Sequence, residues 1–469
     1  MFVVDLCLRG IRHALRIAGI EGMDEPLMSF MHCLAKYTGL SRPFKSKGPK
    51  EIACIKALLA TALSEGNHLG HAWKPCLACI SQLSRLQLFA RGGVDSIVPG
   101  STPAKPVKSR GAFASIFSSA EQQQKELDQA RRVVSEYVME EIDMRSLDRV
   151  FVQSSRLDSN AIASFVEALC GVSRRELEDS RHLSGFAPVN SKTTTSRRVF
   201  SLQKVVEVAD FNIGCRGRMT WLKMWRELAE YFKHVGSHPV AGIAMYAIDS
   251  LKQLSMKFLE KGEMKGFNFQ SSFLKPFEAI ITSSPNVSIR ELVLCVMQNI
   301  VLSRGEKIRS GWRSVFRVLR TAAKDESVAC VTLGFSVVEH IARNTFGLAS
   351  RNHFTDLISC VLAYTESSEV EGVALKAIDL LMICCDHLAS GRVGNFKSDR
   401  VVSRGEEGDD KDGNDNDDKE SKIGLDSQGR VRRPHARKQQ DEDEEGDDII
   451  DDVEETFIRR ACALLVQVN

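Results

Sequence analysis

No uncharged apolar run in these 469 residues approaches the ~18 that a bilayer-spanning helix requires. The longest candidates, near Leu292–Ser303 and Val328–Val338, are shorter and keep helical period. A secretory signal is missing as well, because Asp5 interrupts the opening MFVVDLCLRGIRHALRIAGI and no long apolar stretch follows. Arg9, Arg12 and Arg16 on that apolar helix resemble a transit peptide in charge alone, but the pattern runs on into folded core. The chain also lacks a dominant charge sign. With 63 Lys+Arg against 61 Asp+Glu, no whole-chain basic field argues for nucleic acid as a partner.

Catalytic signatures are equally scarce. There is no G-x-x-x-x-G-K-[ST] phosphate loop, no G-x-G-x-x-G after a strand, no H-E-x-x-H and no G-x-S-x-G nucleophile elbow. No catalytic residue and no cofactor is expected. Thirteen cysteines, an odd number spread along apolar helical stretches such as those at Cys54, Cys295, Cys330 and Cys360, do not read as a disulfide framework. They read as buried free thiols of a reducing compartment. His68, His71, Cys76 and Cys79 form H-x2-H-x4-C-x2-C, four zinc-compatible ligands in twelve residues. Yet Cys76 and Cys79 share an apolar helical stripe with Leu77, Ile80 and Leu83, so no metal site is expected there. Adjacent Cys384 and Cys385 point in different directions on a helix and read as packing residues.

What the chain does have is 43% apolar and 26% charged residues, values of ordinary globular protein. The charge is unevenly placed. Glu406–Glu455 holds 21 acidic and 8 basic residues, so this tract carries −13 and the rest of the chain +15. Composition and period divide the sequence into a helical region at 1–91, a Gly/Pro/Ser-rich linker at 92–120, and a second helical region at 121–198. HEAT-like repeats follow at 199–392, then a charged disordered segment at 393–455 and a short C-terminal helix at 456–469.

The repeats rest on spacing. First helices are expected to begin near Trp221, Phe273, Trp312 and Phe354, and second helices near Ile243, Ile289, Val328 and Val370. Successive second helices lie 46, 39 and 42 residues apart, close to the HEAT period. Ile289, Leu292, Val293, Val296 and Ile300 trace one stripe, and Val370, Val373, Ala374, Ala377, Ile378 and Leu381 nearly repeat it. Ser288 with Glu291, and Ser368 with Glu371, read as capping boxes. One helix pair cannot bury both its faces, so the fold class is all-α, a HEAT/armadillo-like solenoid of stacked pairs.

One stretch suggests contact with something else. In Ser303–Lys324, the residues Arg309, Arg313, Arg317, Arg320 and Lys324 recur at spacings of 4, 4, 3 and 4, while Trp312, Val315, Phe316, Leu319 and Ala323 form the apolar stripe. Two readings stand: a solvated outer face, or a docking surface for an anionic membrane or acidic partner. Each cation near an anionic leaflet contributes ~1 kcal/mol. The acidic tract is either a competitor for these cations or a solubilising tail.

Seven segments, in order, carry a resemblance. They are GIRHALRIAGIEGM (Gly10–Met23), IKALLATALSEGNHLGHAW (Ile55–Trp73), CISQLSRLQLF (Cys79–Phe89), SSRLDSNAIASFVEALCGVS (Ser154–Ser173), VFSLQKVVEVADFN (Val199–Asn212), DSLKQLSMKFLEKGEMKGFNFQSSFLKPFE (Asp249–Glu278) and IRSGWRSVF (Ile308–Phe316). Together they resemble the region downstream of the catalytic domain in the large, brefeldin-A-inhibited guanine-nucleotide exchange factors for Arf GTPases. The resemblance implies a regulatory role in membrane recruitment and GTPase activation during Golgi and endosomal vesicle trafficking. It implies a cytoplasmic protein, peripheral on trans-Golgi or endosomal membranes, whose partners are an Arf-type GTPase, an anionic membrane surface and a catalytic exchange domain. The exchange domain's glutamate-finger motif is not found in the sequence, so no catalytic residue carries over. Asn212, Arg218, Asp249 and Lys257 match family-motif positions. FNIGCRGR (Phe211–Arg218) departs from the family by one extra residue before Trp221, which turns a helix by ~100°. The alternative is a generic HEAT-repeat scaffold or adaptor for other protein partners.

Overall fold

The computed structural model describes residues 2–42, 47–91, 129–182, 199–263, 268–366 and 371–390. The expected linker, the acidic tract, the C-terminal helix and the Ser368 cap lie outside these residues. Among the described residues every regular element is a helix. Two compact units are present, Met1–Ser314 and Val315–Asn469.

In the first unit, α1 (Phe2–Ile20), α2 (Asp24–Tyr37), α3 (Pro49–Ser64) and α4 (Trp73–Ala90) pack together. Helix α5 occupies 129–141, and α6 (Arg145–Val152) and α7 (Ser159–His182) follow. Stacked pairs then run through α8 (Phe200–Ile213), α9 (Arg218–Gly236), α10 (Ala241–Leu259), α11 (Phe269–Ser283) and α12 (Val287–Arg304). α7, α9 and α11 touch in one layer, α8, α10 and α12 in the other, and each pair also touches across the layers. This contact pattern, each helix against its neighbour and its next-but-one, is that of an α-solenoid. α13 (Gly311–Ala322) contains the division between the units. In the second unit α14 (Val328–Asn344), α15 (Phe346–Thr365) and α16 (Glu371–Ala389) pack mutually.

The core follows the apolar stripes. Trp73 is buried, donates Nε1–H to the Gly66 carbonyl at 3.1 Å, and meets Phe165 edge-on with ring centroids 4.7 Å apart. Trp225 stacks on Phe273 at 3.8 Å, and Phe273 on Phe258 at 4.2 Å, tying α9, α10 and α11 into one aromatic column. Glycine permits the closest approach in the second unit. A Cβ on Gly334 would fall inside the Tyr364 hydroxyl and 2.9 Å from the Ala322 Cβ.

Helix starts are capped by means that local sequence conceals. α12 starts at Val287 with Asn286 as its cap, whose side chain accepts the Ser288 N–H at 3.0 Å. Ser288 is therefore inside the first turn, and the expected Ser288–Glu291 box is displaced by the residue two positions earlier. Helix α8 follows Val199, which offers no capping oxygen. Glu176 from α7 substitutes for it. This buried carboxylate accepts the Ser201 N–H at 3.0 Å and the Ser201 hydroxyl at 2.7 Å, and it also accepts the Ser81 hydroxyl of α4. One carboxylate thus satisfies an orphan helix N-terminus and joins three helices.

Candidate docking surface and the polar nodes beside it

The five cations of the α13 stretch are not equivalent. Arg309 and Arg313 of the first unit are exposed; in the second, Arg320 and Lys324 are exposed while Arg317 is half-buried. The opposite stripe is dry. Trp312, Val315, Phe316, Leu319 and Ala323 are each 3% exposed or less. Helical period therefore separates charge from core as the spacing required. Arg309 is already oriented, since its guanidinium donates to the carbonyls of Glu306 at 3.0 Å and Ile308 at 3.1 Å.

A polar node fixes the backbone from which Arg309 projects. Gly262, at φ +64, turns the chain after α10 and delivers Glu263. The Glu263 carboxylate accepts the Gln270 N–H at 3.0 Å and the Ser310 N–H at 2.8 Å, so it caps the starts of both α11 and α13. The Ser310 hydroxyl also donates to it. Gln270, fully buried, donates Nε2–H to the Lys307 carbonyl at 3.0 Å and accepts the Arg309 N–H at 2.7 Å. Two of the recurring family segments, Asp249–Glu278 and Ile308–Phe316, thus meet through these side chains. Nothing periodic marks Glu263 or Gln270. Their only signal in the sequence is that both segments recur together.

The family-motif positions fall on α8, α9 and α10. Asn212 is fully buried and donates to the Ser154 hydroxyl at 3.0 Å and the Val208 carbonyl at 2.8 Å. Its Oδ1 accepts from Arg216 Nε at 2.7 Å, not from Arg218. The other Arg216 nitrogens donate to the carbonyls of Leu157 at 2.5 Å and Ser154 at 2.6 Å. Arg218 is the exposed first residue of α9. Residues 214–217 form the irregular segment between α8 and α9, and within it Arg216 is the arginine that clamps Asn212. Lys257 pairs with Asp210 across α10 and α8, whereas Asp249 is exposed and accepts from Gln253 at 2.8 Å. Beside that pair an open cleft of about 390 Å³ is lined by Gln203, Glu207, Asp210, Tyr246, Gln253 and Lys257. Its carboxylates are engaged, Glu207 by Lys204 at 2.8 Å and Asp210 by Lys257. They hold helices together.

The histidine–cysteine constellation is split by the fold. His68 and His71 lie exposed on two single-turn helices, whereas Cys76 and Cys79 are buried in α4. No group of three or more His, Cys, Asp or Glu among the described residues is placed to hold a metal ion. Burial pushes the Cys76 thiol far up and the Cys79 thiol up to about 11, the latter partly offset by Thr38. The Cys170 and Cys360 thiols are raised by the same desolvation, and Cys384 to about 12. Such thiols remain protonated at neutral pH and are poor nucleophiles. Cys295, expected to be buried, is exposed instead, because it falls off the buried stripe of Ile289, Val293, Val296 and Ile300 on α12. Among the described residues no helix is long and apolar enough to cross a membrane.

Residues 257–340 match a family described as Mon2/Sec7/BIG1-like, HDS. That interval contains the Glu263–Gln270–Ser310 node and the whole of α13. The chain is 34% identical over 414 residues to brefeldin A-inhibited guanine nucleotide-exchange protein 1 of Arabidopsis thaliana, covering 82% of this chain and 24% of the relative. To protein 3 of the same plant it is 33% identical over 424 residues, covering 84% and 23%. To the human protein 1 it is 34% identical over 415 residues, covering 84% and 21%. The chain therefore spans about a quarter of the length of these relatives. Identity of 33–34% over four fifths of its residues, with the HDS match at 257–340, establishes the chain as a homologue of one stretch of the brefeldin A-inhibited guanine nucleotide-exchange proteins.

Proposed function

We propose that this chain is a non-catalytic regulatory array within an exchange factor for Arf-type GTPases, acting in vesicle traffic at trans-Golgi or endosomal membranes. The observation that carries the reading is identity of 33–34% spread over four fifths of the chain to exchange proteins of plants and mammals. The chemistry of the fold agrees with it. The carboxylates of the α8–α10 cleft are paired and the thiols named above are buried and protonated, while cations of the α13 stretch stand exposed. Arg309 and Arg313 in the first unit, and Arg320 and Lys324 in the second, are the side chains proposed to meet anionic headgroups. Arg317, half-buried, has a smaller share.

The test supplies a Sec7-type exchange domain in trans and follows nucleotide release from an Arf protein on vesicles containing anionic lipid. The chain alone is expected to be inert, and its addition to change the rate severalfold. Arg320→Glu with Lys324→Glu, and separately Arg309→Glu with Arg313→Glu, should each weaken binding to anionic vesicles at least about thirtyfold, given ~1 kcal/mol per cation lost and repulsion gained besides. An unchanged exchange rate together with unchanged cosedimentation overturns the proposal. Capture of protein partners in the absence of both Arf and anionic lipid would favour the scaffold reading.

A further inference from the structure

A cleft of about 480 Å³ opens in the first unit where α1, the single turn after α3 and the single turn after α6 meet. That volume lies in the range of ligand-binding clefts. Three of the seven segments that carry the family resemblance converge on it. Arg16 comes from the first, Glu65 and His68 from the second, and Arg156 and Leu157 from the fourth. The shape is fixed by close backbone approach. A Cβ on Gly66 would fall 2.8 Å from Leu157 Cδ2 and 3.3 Å from the Trp73 ring, and one on Gly19 would fall 2.8 Å from the His68 Cβ. Only glycine lets these walls close.

The cleft presents mainly donors. Arg156 is exposed and makes no hydrogen bond or ion pair among the described residues. Arg16, its side chain 63% exposed, meets Glu65 only through Nε at 3.9 Å, which leaves both terminal nitrogens of its guanidinium to donate. His68 is exposed beside them, and Asn67 accepts the Asp158 N–H through Oδ1 at 2.9 Å, so its Nδ2 is left to donate. The one carboxylate is that of Glu65, 14% exposed. Two guanidiniums less one carboxylate sum to a single positive charge, which suits a monoanion. A carboxylate matches a guanidinium fork bidentately. A phosphate monoester, at about −1.5 to −2, would meet Glu65 as a repulsive neighbour. Ile20, Leu63 and Leu157 supply apolar wall that is at least partly exposed, a match for an aliphatic side chain next to the acid.

We propose that this cleft binds an acidic peptide of a partner protein, with the carboxylate held by Arg16 and Arg156 and a neighbouring aliphatic side chain against Leu63 and Leu157. None of the α13 cations takes part, so the site is tested apart from the membrane reading. Calorimetric titration of the full chain with a tripeptide amide carrying glutamate between two leucines supplies the test, alongside its glutamine, lysine and phosphoserine counterparts. The glutamate peptide should bind at least about tenfold more tightly than the glutamine peptide, and no more weakly than the phosphoserine one. Arg156→Gln should weaken the glutamate peptide about tenfold and leave the glutamine peptide unchanged. Arg156→Glu should reverse the preference toward the lysine peptide, a result that a folding defect would not produce. Equal binding of the glutamate and glutamine peptides, or no binding of either, overturns the proposal. So does tighter binding of the phosphoserine peptide, which would make a phosphate the ligand. An equal loss from Arg226→Gln, at an exposed arginine of α9 outside the cleft, also overturns it, because diffuse charge would then account for the binding.

Discussion

The stretch from α7 to the start of α13 and the stretch from α14 to α16 solve the same packing task differently. In the first, buried polar side chains hold the joints: Glu176 at the start of α8, Asn212 with Arg216 after it, and Glu263 with Gln270 before α13. In the second, the closest joint is dry. Gly334 admits Tyr364, whose hydroxyl donates to the Leu319 carbonyl at 2.7 Å. A polar joint accepts one chemistry at one register and rejects its isosteres. A dry joint is limited by volume and forgives any change that restores it.

That contrast is broken most severely at Gly334. Gly334→Val would drive side-chain carbon into the Tyr364 ring and the Ala322 methyl, and should cost about 4 kcal/mol in denaturant unfolding through overpacking and displacement of Tyr364. Gly334→Ala should cost less and be partly recovered by Tyr364→Phe, because the Leu319 carbonyl keeps the Ala323 N–H at 3.2 Å. If the phenylalanine gives no recovery, the joint is not limited by volume.

The polar joints should give no such recovery. Arg216→Ala removes donors from two carbonyls and leaves the buried Asn212 oxygen unsatisfied, for an expected loss of about 3 kcal/mol. Asn212→Leu, similar in size, should cost nearly as much, and Arg216→Ala combined with it should cost less than the sum. Arg218→Ala, at the exposed first residue of α9, should cost less than Arg216→Ala. A loss at Arg218 equal to that at Arg216 would mean that the Arg216 clamp is not what holds this joint. Glu263→Gln sharpens the comparison further. It keeps shape but replaces an acceptor-only carboxylate facing three donors, and should cost about 1–2 kcal/mol with loss of order at Arg309.

The stacking was legible because apolar period is a collective signal. Second helices expected near Ile243, Ile289, Val328 and Val370 begin at Ala241, Val287, Val328 and Glu371. The first helix expected near Phe354 begins instead at Phe346. Non-helical torsions at His353 (φ −136°, ψ 28°) kink α15 there, so the stripe visible in sequence is only that of its second half. The basic face of α13 was legible for the same periodic reason. The polar joints were not, since Glu176, Asn212, Arg216 and Glu263 are single residues that each reach at least one partner 25 to 95 positions away. Spacing alone does not show that Arg216, and not its neighbour Arg218, is the arginine that clamps Asn212.

The smallest effect separates the joints by pH. Thiols of Cys76, Cys79, Cys170, Cys360 and Cys384 are all held protonated by burial, and burial raises Tyr231 and Tyr364 likewise. Below pH about 7.5, a unit under the ordinary thiol value, folded and unfolded chains bind the same protons at these groups, and no stability depends on them. Above it the unfolded thiols ionise while the folded ones do not, so the unfolded state binds fewer protons and stability falls with rising pH. The fall should begin above pH about 7.5 and steepen above about 10, where unfolded tyrosines join. Cys360→Ala and Tyr364→Phe should each flatten the alkaline slope of the second unit's unfolding, whereas Asn212→Leu should lower stability equally at pH 7 and pH 9.5. A thiol reagent at pH 8 should label exposed Cys7, Cys215 and Cys295 well before Cys76 or Cys360. Equal labelling rates would mean that these buried positions open as readily as the surface, and the alkaline argument would fail with them.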